Sequence, residues 1–380
     1  MLTDLKQEFS TTELFSLESE TLNRVTSIAL AGLQKMYCKK THRFAFTLRK
    51  SEIDKLCCIG ESMRYGAIVV IGARYLPENL QQDLFAGETA KQFCSRLIED
   101  IDAVTNLGDV ALITWAAAEL KHPKLEVAVN RIREMSGANC PCPTVEAAWV
   151  LSALSVANDQ LDVSNEILQA KQWLIGCIDL SAGIFAHHTD QSKSLGGRSH
   201  VSCFADQVYP IQALAKYHQA VGDNESLNAA TVCAERICKL QGDAGQWWWH
   251  YDVRTGNVIE GYPVYSVHQD SMGPMALLDL QEAGGPCFDK AIELSLQWLN
   301  NAPEIGSSLI DEENSVIWRK VARAEPKKAT RFIRAAATRA HPNLKMRWLD
   351  SVFRPTVIDY ECRPYHLGWI LYTWLRRREQ

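Results

Sequence analysis

A helical hairpin that recurs along the chain is the strongest constraint on how this sequence folds. One unit runs from Val145 as VEAAWVLSALSVA, then VSNEILQAKQWLIGCI, and closes in the glycine turn Gly183-Ile184-Phe185. The next begins VYPIQALAKYHQAVGD at Val208, continues SLNAATVCAERICKLQG, and closes at Gly245-Gln246-Trp247, 62 residues after the first turn. A third begins SMGPMALLDLQEAGG at Ser271 and continues DKAIELSLQWLNNAP. Within each half-unit apolar residues recur three and four apart, and Gly or Asp parts the halves, which is the pattern of two helices and a turn. GDVALITWAAAEL from Gly108 with LEVAVNRIREM from Leu125 makes another hairpin, and HLGWILYTWLRRREQ adds one more apolar helix.

Six units of that length account for nearly all 380 residues. Six hairpins can close into a ring, with inner helices around a cavity and outer helices covering them. No polar capping repeat is evident, which favours a ring over an open solenoid, and no sustained period-2 alternation demands a central sheet. The expected fold is all-α, an (α/α)6-type toroid or barrel of helical hairpins forming a single domain over residues 1–380. An open array with a concave face is the alternative. The first hundred residues read as helices, with Arg64, Tyr65, Arg74 and Tyr75 placed to cap the ring or lend side chains to its mouth.

Composition narrows the class of protein. With 47% apolar and 22% charged residues, the chain is neither disordered nor fibrous. Its formal charge of -5 argues against coating nucleic acid. The N-terminal MLTDLKQEFSTTELF lacks a basic-then-apolar export signal. The longest early apolar stretch, Ala67–Ile71, is far short of the roughly 18 residues a membrane span needs. Twelve dilute cysteines, with Cys177, Cys233 and Cys238 in helical patterns, suit reduced thiols in the cytoplasm. There is no P-loop and no G-x-G-x-x-G opening a helix, so no nucleotide is expected. Cys140-Pro141-Cys142, Cys57-Cys58 and His187-His188 lack the spacing of a zinc site, and only a set drawn from separate loops (Cys203, Cys362, His366) would offer one. Neither metal nor cofactor is expected.

The string QGDAGQW, Gln241 to Trp247, resembles the QW motif of terpenoid cyclases. The longer order GQWWWHYD, TG, E and YSVHQDSMGPMALLDL is similar to unsaturated glucuronyl hydrolases of the six-hairpin glycosidase class. Both families are α/α toroids, so the resemblance implies the ring fold over about residues 145–310.

In such a ring the loops from an outer helix to the next inner helix open onto the cavity, and polar and aromatic residues gather in them here. One holds Trp247, Trp248, Trp249, His250, Asp252, Glu260, Tyr262, Tyr265, His268 and Asp270; another holds Arg198, Asp206 and Tyr209; the last holds Glu361, Arg363, Tyr365 and His366. Aromatic faces stack on pyranose rings, and carboxylates and guanidinium groups take hydroxyls or carboxylates. The function read from this is an enzyme on a carbohydrate, a hydrolase, lyase or epimerase of an oligosaccharide or acidic sugar. Asp252 and Glu260 are the leading acid/base pair, with Asp270 and Glu361 next. His268 and His366 would shuttle protons in epimerisation or elimination, with Arg363 or Arg198 holding a carboxylate. An isoprenoid cyclase is the alternative enzyme, since aromatic walls stabilise carbocations. Its Asp-x-Asp-Asp acid is missing, however, the nearest string being Glu99-Asp100-Ile101-Asp102. A non-catalytic helical-repeat binding protein is the third reading.

From Val316 to Trp348 ten Lys or Arg, Arg319 through Arg347, face one acid, Glu325. This basic stretch breaks the repeat as an insertion around 316–348 would. It reads either as a solvated helix packed on the acidic remainder or as a contact for an anionic or lipid-linked partner peripheral to a membrane.

Overall fold

The computed structural model describes residues 11–51, 55–137, 142–190 and 197–378; Cys140 and the first ten residues lie outside them. In chain order the helices alternate between an outer and an inner layer. They run α1 (Thr11–Met36, outer), α2 (Met63–Ala73, inner), the short α3 (Glu78–Leu84), α4 (Ala90–Glu99, outer) and α5 (Leu107–Glu119, inner). Next come α6 (Leu125–Met135, outer), α7 (Thr144–Ala157, inner), α8 (Ser164–Ile175, outer) and α9 (Ala205–Val221, inner). They continue with α10 (Asn224–Lys239, outer), α11 (Gly273–Glu282, inner), α12 (Asp289–Asn300, outer), α13 (Ala329–Ala340), α14 (Leu349–Val352) and α15 (Pro364–Leu375, inner). Each inner helix packs on the next, α2 on α5, α5 on α7, α7 on α9, α9 on α11, α11 on α15, and α15 returns to α2. The fold is an (α/α)6 toroid.

The two layers follow from two kinds of sequence. Inner helices are apolar nearly all round: α2 buries every residue from Tyr65 to Ala73, and α5 all but a few. A helix apolar on every side belongs inside. The β-branched run Ile68–Ile71 would favour a strand by local preference, but burial on all sides of a helix overrides it. Outer helices such as α4, α6 and α10 bury one stripe only. The hairpins are not evenly spaced. The first inner helices begin at Met63, Leu107 and Thr144, closer together than 62 residues, and α15 starts far beyond α11. The extra length before α15 contains the basic stretch.

Loops on one face are short and those on the other carry small strands. Before α2 lie β1 (Tyr37–Cys38), β2 (Arg43–Lys50) and β3 (Leu56–Ser62), a feature the helical reading of the first hundred residues did not contain. Before α9 lie β4 (Ile178–Asp179), β5 (Ile184–Phe185) and β6 (Val201–Cys203), and before α11 β7 (His250–Asp252), β8 (Val258–Glu260) and β9 (Val264–Tyr265). Before α15 lie β10 (Ile310–Asp311), β11 (Val316–Ile317), β12 (Lys320–Ala322), β13 (Val357–Asp359) and β14 (Glu361–Cys362). Neighbouring loops are laced together: β6 pairs with β7, β9 with β12, and β14 with β2. The lacing makes a crown around one mouth of the ring.

The QW-like string acts as a stitch between outer helices. Gln241 Nε2, just past α10, donates to the carbonyls of Gly245 at 3.0 Å and of Ala291 in α12 at 2.9 Å. Gly245 has φ of 92°, and a Cβ there would strike the backbone of Leu294. Trp247 is fully buried with its ring stacked on Phe204, centroids 5.6 Å apart. At the opposite end from the crown, Asp279 of α11 accepts from Gln212 at 2.8 Å and Arg376 at 2.8 Å and lies 3.6 Å from Lys216. Burial would raise its carboxyl, but Lys216, Arg376 and Arg377 hold it well below the usual range.

The seam between α2 and α15 has almost no spare room. A Cβ on Gly72 would collide with the carbonyl oxygen of Gly368, and a Cβ on Gly368 would sit 3.0 Å from Val69 Cα. Gly72→Val is expected to destabilise the fold by about 3 kcal/mol through overpacking of rigid backbone, read as a shift in the urea midpoint. An unchanged midpoint would show that the seam can open without cost.

Candidate active site

The first turns of the inner helices and the crown above them enclose a cavity of about 230 Å³. Arg64 and Tyr65 of α2, Trp149 of α7, Tyr209 of α9 and Tyr365 of α15 line it from the helices. Trp249, Tyr265, His268, Arg319 and Arg363 line it from the loops. Among the described residues no aspartate or glutamate lines it. The walls are thus aromatic, cationic and imidazole.

His268 opens a π-turn, His268–Met272, that runs directly into α11. Gly273 N–H donates five residues back to the His268 carbonyl, and a Cβ on Gly273 would come within 2.8 Å of that oxygen and of Trp247 Nε1. Such wide turns are rare and concentrate at functional sites. The imidazole is buried against Phe204 and Tyr265, with ring centroids 4.6 and 5.0 Å away. Burial, with the charges of His366 and Arg319, pushes its pKa down to about 3, so the ring is neutral near pH 7.

A second histidine is held by a carboxylate. His366, in the first turn of α15, places Nε2 2.8 Å from both oxygens of Asp270, and both residues are buried. Trp374 Nε1 donates to the Asp270 carbonyl at 2.7 Å and pins the turn. A carboxylate facing Nε2 keeps the proton on that nitrogen and fixes the ring.

Glu361 organises the cations. Arg319 donates to it at 2.9 Å, Arg363 at 3.2 Å, and Arg49 of β2 also bonds to it. Burial would raise the Glu361 carboxyl, but the three guanidinium groups bring it below its usual range. Arg363 also donates to Tyr65 Oη at 3.1 Å, and Arg319 lies over the Tyr265 ring at 5.3 Å. Arg64 bonds to Asn106 at 2.8 Å and to Asp109, and sits 5.4 Å above Trp149. Burial pushes the Tyr365 hydroxyl up to about 12, so it stays protonated.

The other residues expected at the site fall elsewhere. The three adjacent tryptophans part company: Trp247 goes to the core, Trp249 to the cavity, and Trp248 with Tyr262 to a separate cleft of about 300 Å³. That cleft is lined also by Arg323, Arg334, Lys345, Arg347 and Asp350. Asp252 is buried in β7 and accepts from Arg254 Nε at 2.9 Å and Nη2 at 2.7 Å. Glu260 is buried in β8, with Arg323 donating at 2.7 Å and Arg334 at 3.5 Å. Burial pushes the Glu260 carboxyl up while those two guanidinium groups oppose it. Neither carboxylate is among the residues that line the cavity. His250 stacks on Trp249 at 3.9 Å, Asp206 bonds to His187 at 2.8 Å, and Arg198 lies 5.8 Å from the Phe332 ring. Arg74 and Tyr75, at the far end of α2, serve Glu119 and the Tyr372 ring rather than the mouth.

Among the described residues four of the ten basic residues of the stretch pair with acids of the crown, while Lys328, Arg339 and Arg347 are exposed. Arg319 and Lys320 meet Glu361 and Asp359, while Arg323 and Arg334 meet Glu260 and Asp350. Trp149 and Arg319 are the wall residues that the sequence reading had not singled out. The available signals were an aromatic one turn into an inner helix and a position just before the β12 strand.

No family model matches the sequence, and no curated protein does either. The fold itself is shared. Cellobiose 2-epimerase from Bacillus thermoamylovorans superposes with a TM-score of 0.66 at 10% identity, over 95% of this chain and 99% of that one. A sugar epimerase from a ruminal bacterium gives 0.64 at 11%, over 94% and 98%. An unsaturated glucuronyl hydrolase specific for heparin gives 0.61 at 13%, over 95% and 96%. The chain shares the α/α toroid of these glycosidase-like enzymes. Among the described residues no helix is long and apolar enough to cross a membrane.

Two measurements bear on these placements. Glu260→Gln should destabilise the fold by about 3 kcal/mol, because it removes one of the two carboxylates that pair with the buried Arg323 and Arg334 and leaves Asp350 alone against both; an unchanged denaturation midpoint would remove the pair from the scaffold. His268 gives a pH signature. Unfolded, it titrates near about 6.5; folded, only near about 3. Its contribution to stability is therefore complete above about pH 6.5 and is lost as pH falls toward 3, since the unfolded chain takes the proton first. Between about pH 6 and pH 4 the stability of His268→Asn should decline less steeply than wild type, by up to about 1.4 kcal/mol per pH unit. Parallel slopes in chemical denaturation would contradict a buried neutral imidazole.

Proposed function

We propose that the protein is an enzyme that moves a proton at a sugar carbon next to a carbonyl or carboxylate, as an epimerase or lyase. The observation that carries this reading is the composition of the cavity wall, which has a neutral imidazole and three arginines but, among the described residues, no carboxylate. Hydrolysis by a pair of carboxylates needs an acid and a base flanking the bond, and Asp252 and Glu260 are bound to arginine instead.

In the proposed mechanism the sugar stacks on Trp149, Trp249 and Tyr209. His268, uncharged and with a free lone pair, takes the proton from the carbon, and the negative charge developing on the sugar beside it offsets the burial that otherwise disfavours its imidazolium. The electron pair released moves to the adjacent carbonyl or carboxylate oxygen, where Arg319 and Arg363, fixed by Glu361, offset the developing charge. In epimerisation a solvent-derived proton carried on Nδ1 of His366, whose Nε2 proton stays on the bond to Asp270, passes to the same carbon from the other face, and His268 releases the abstracted proton to solvent. In elimination the pair instead expels the substituent at the next carbon. Both courses are redox-neutral and require no cofactor. Carbohydrate specificity also draws support from the toroidal enzymes named above. A cyclase would need a protonating acid at the wall, and among the described residues no aspartate or glutamate lines it.

The test is proton NMR in deuterium oxide with a panel of reducing disaccharides and uronic acids. Epimerisation should replace the proton at the reacting carbon by deuterium as the epimer appears, and elimination should yield an unsaturated product. His268→Asn and His366→Asn should each lower the rate by at least about 100-fold, while Asp252→Asn stays near wild type. Hydrolysis without deuterium in the product, or full rates in both histidine variants, would overturn the mechanism. Binding without turnover would favour the helical-repeat binding protein.

A further inference from the structure

The corner where β6 turns into α9 holds a set of groups that the proposed proton transfer does not use. A ring nitrogen of His187, Cys203 Sγ and a carboxylate oxygen of Asp206 all lie within 4.8 Å of one another. His187 comes from the loop after β5 and is exposed, Cys203 ends β6, and Asp206 opens α9 with no exposure at all. Imidazole, thiol and carboxylate meet nowhere else in this way among the described residues.

Two features show that the cluster is incomplete as it stands. The first is the uneven satisfaction of Asp206. Its Oδ2 takes three hydrogen bonds, from Cys203 N at 2.8 Å, Ser202 Oγ at 3.2 Å and His187 Nδ1 at 2.8 Å. Its Oδ1 is buried and has no partner. A buried carboxylate oxygen without a donor is costly, and its usual remedy is a hydrogen bond or a cation. The second feature lies across the β6–β7 ladder. Cys203 is the register partner of His250, and directly opposed residues project on the same face. His250 is buried, and its Nδ1 is also unpartnered.

We propose that His187, Cys203 and Asp206 form a binding site for a divalent transition-metal ion, with zinc the best match. A thiolate, an imidazole and a carboxylate are the donors zinc selects, and calcium and magnesium would want oxygen alone. Binding displaces the proton of the Cys203 thiol, so that thiolate and carboxylate balance the two positive charges while neutral His187 gives a lone pair. Three protein ligands leave a fourth position for water or a ligand group, as at catalytic rather than structural zinc sites. The site also adjoins the cavity wall. Phe204, between Cys203 and Asp206, packs on His268, and Ala205 and Tyr209 line the cavity.

The test uses full-length protein stripped of metal under reducing conditions, with cobalt(II) as the probe. One equivalent should bind and give a thiolate-to-cobalt charge-transfer band, which zinc then displaces. The band should vanish in Cys203→Ser, and His187→Ala should weaken binding at least about 10-fold. Zinc should also raise the melting temperature of the wild type and of neither variant. A band of full strength in Cys203→Ser would assign it to exposed thiols such as Cys57, Cys58 or Cys287 and overturn the proposal, as would failure to retain one equivalent. If Cys203→Ser does not fold, the decision passes to His187→Ala, whose altered side chain is exposed; unchanged cobalt affinity there refutes the site. None of these readouts depends on turnover, so they stand or fall apart from the proton-transfer mechanism.

Discussion

Closure of the ring rests on one contact, the approach of α15 to α2 along Gly72 and Gly368. These helices lie near opposite ends of the chain, and each presents a glycine where the other's backbone passes. Without that closure the inner helices would expose apolar faces that have no outer layer to cover them. The same closure brings Arg64 and Tyr65 from the start of the ring against Arg363 and Tyr365 from its end. The β14–β2 pairing repeats the join at crown level, where Glu361 reaches Arg49. The cavity therefore exists only when the last hairpin has docked on the first.

Around that closure several buried carboxylates are shared by two or more cations. Glu361 serves Arg49, Arg319 and Arg363; Glu260 serves Arg323 and Arg334; Asp279 serves Arg376, Arg377 and Lys216. At Glu260, Asp350 offsets the second arginine, whereas at Glu361 and Asp279 the sharing leaves the local balance positive. At the cavity wall this supplies arginines that are already oriented and desolvated, the condition under which they act most strongly on developing negative charge. The basic stretch, which stands out in the sequence as a local balance of +9, supplies Arg319, Arg323 and Arg334 to these arrangements.

Much of the architecture was legible in the residues, and for a definite reason. Helical periodicity is a local property, so the hairpins from Gly108 to Asn300 could be read directly, as could their division into wholly apolar and one-sided helices. The polar loops before α9, α11 and α15 were recognisable by composition, and His268, Tyr265, Trp249, Tyr209, Arg363 and Tyr365 do line the cavity. The hidden parts depend on long-range pairing. β2, RFAFTLRK, is a strand because β3 and β14 hydrogen-bond to it, and nothing within eight residues announces a partner more than 300 residues away. Glu260 has the composition of a catalytic acid, yet Arg323 and Arg334 from far along the chain claim it, while Asp252 is claimed locally by Arg254.

The sequence by itself determined the kind of layers and their order, because burial on all sides or on one side is written in each helix's own spacing. It also determined which loops would be rich in aromatic and titratable groups. Only the tertiary structure decided which of those groups share a cavity. Trp247, Trp248 and Trp249 are neighbours in the chain and face the core, the basic cleft and the cavity in turn. His366 and Asp270 are 96 residues apart and form a buried pair. Direction and pairing of side chains are set by how whole helices pack and how crown strands register, and those are sums over the entire ring.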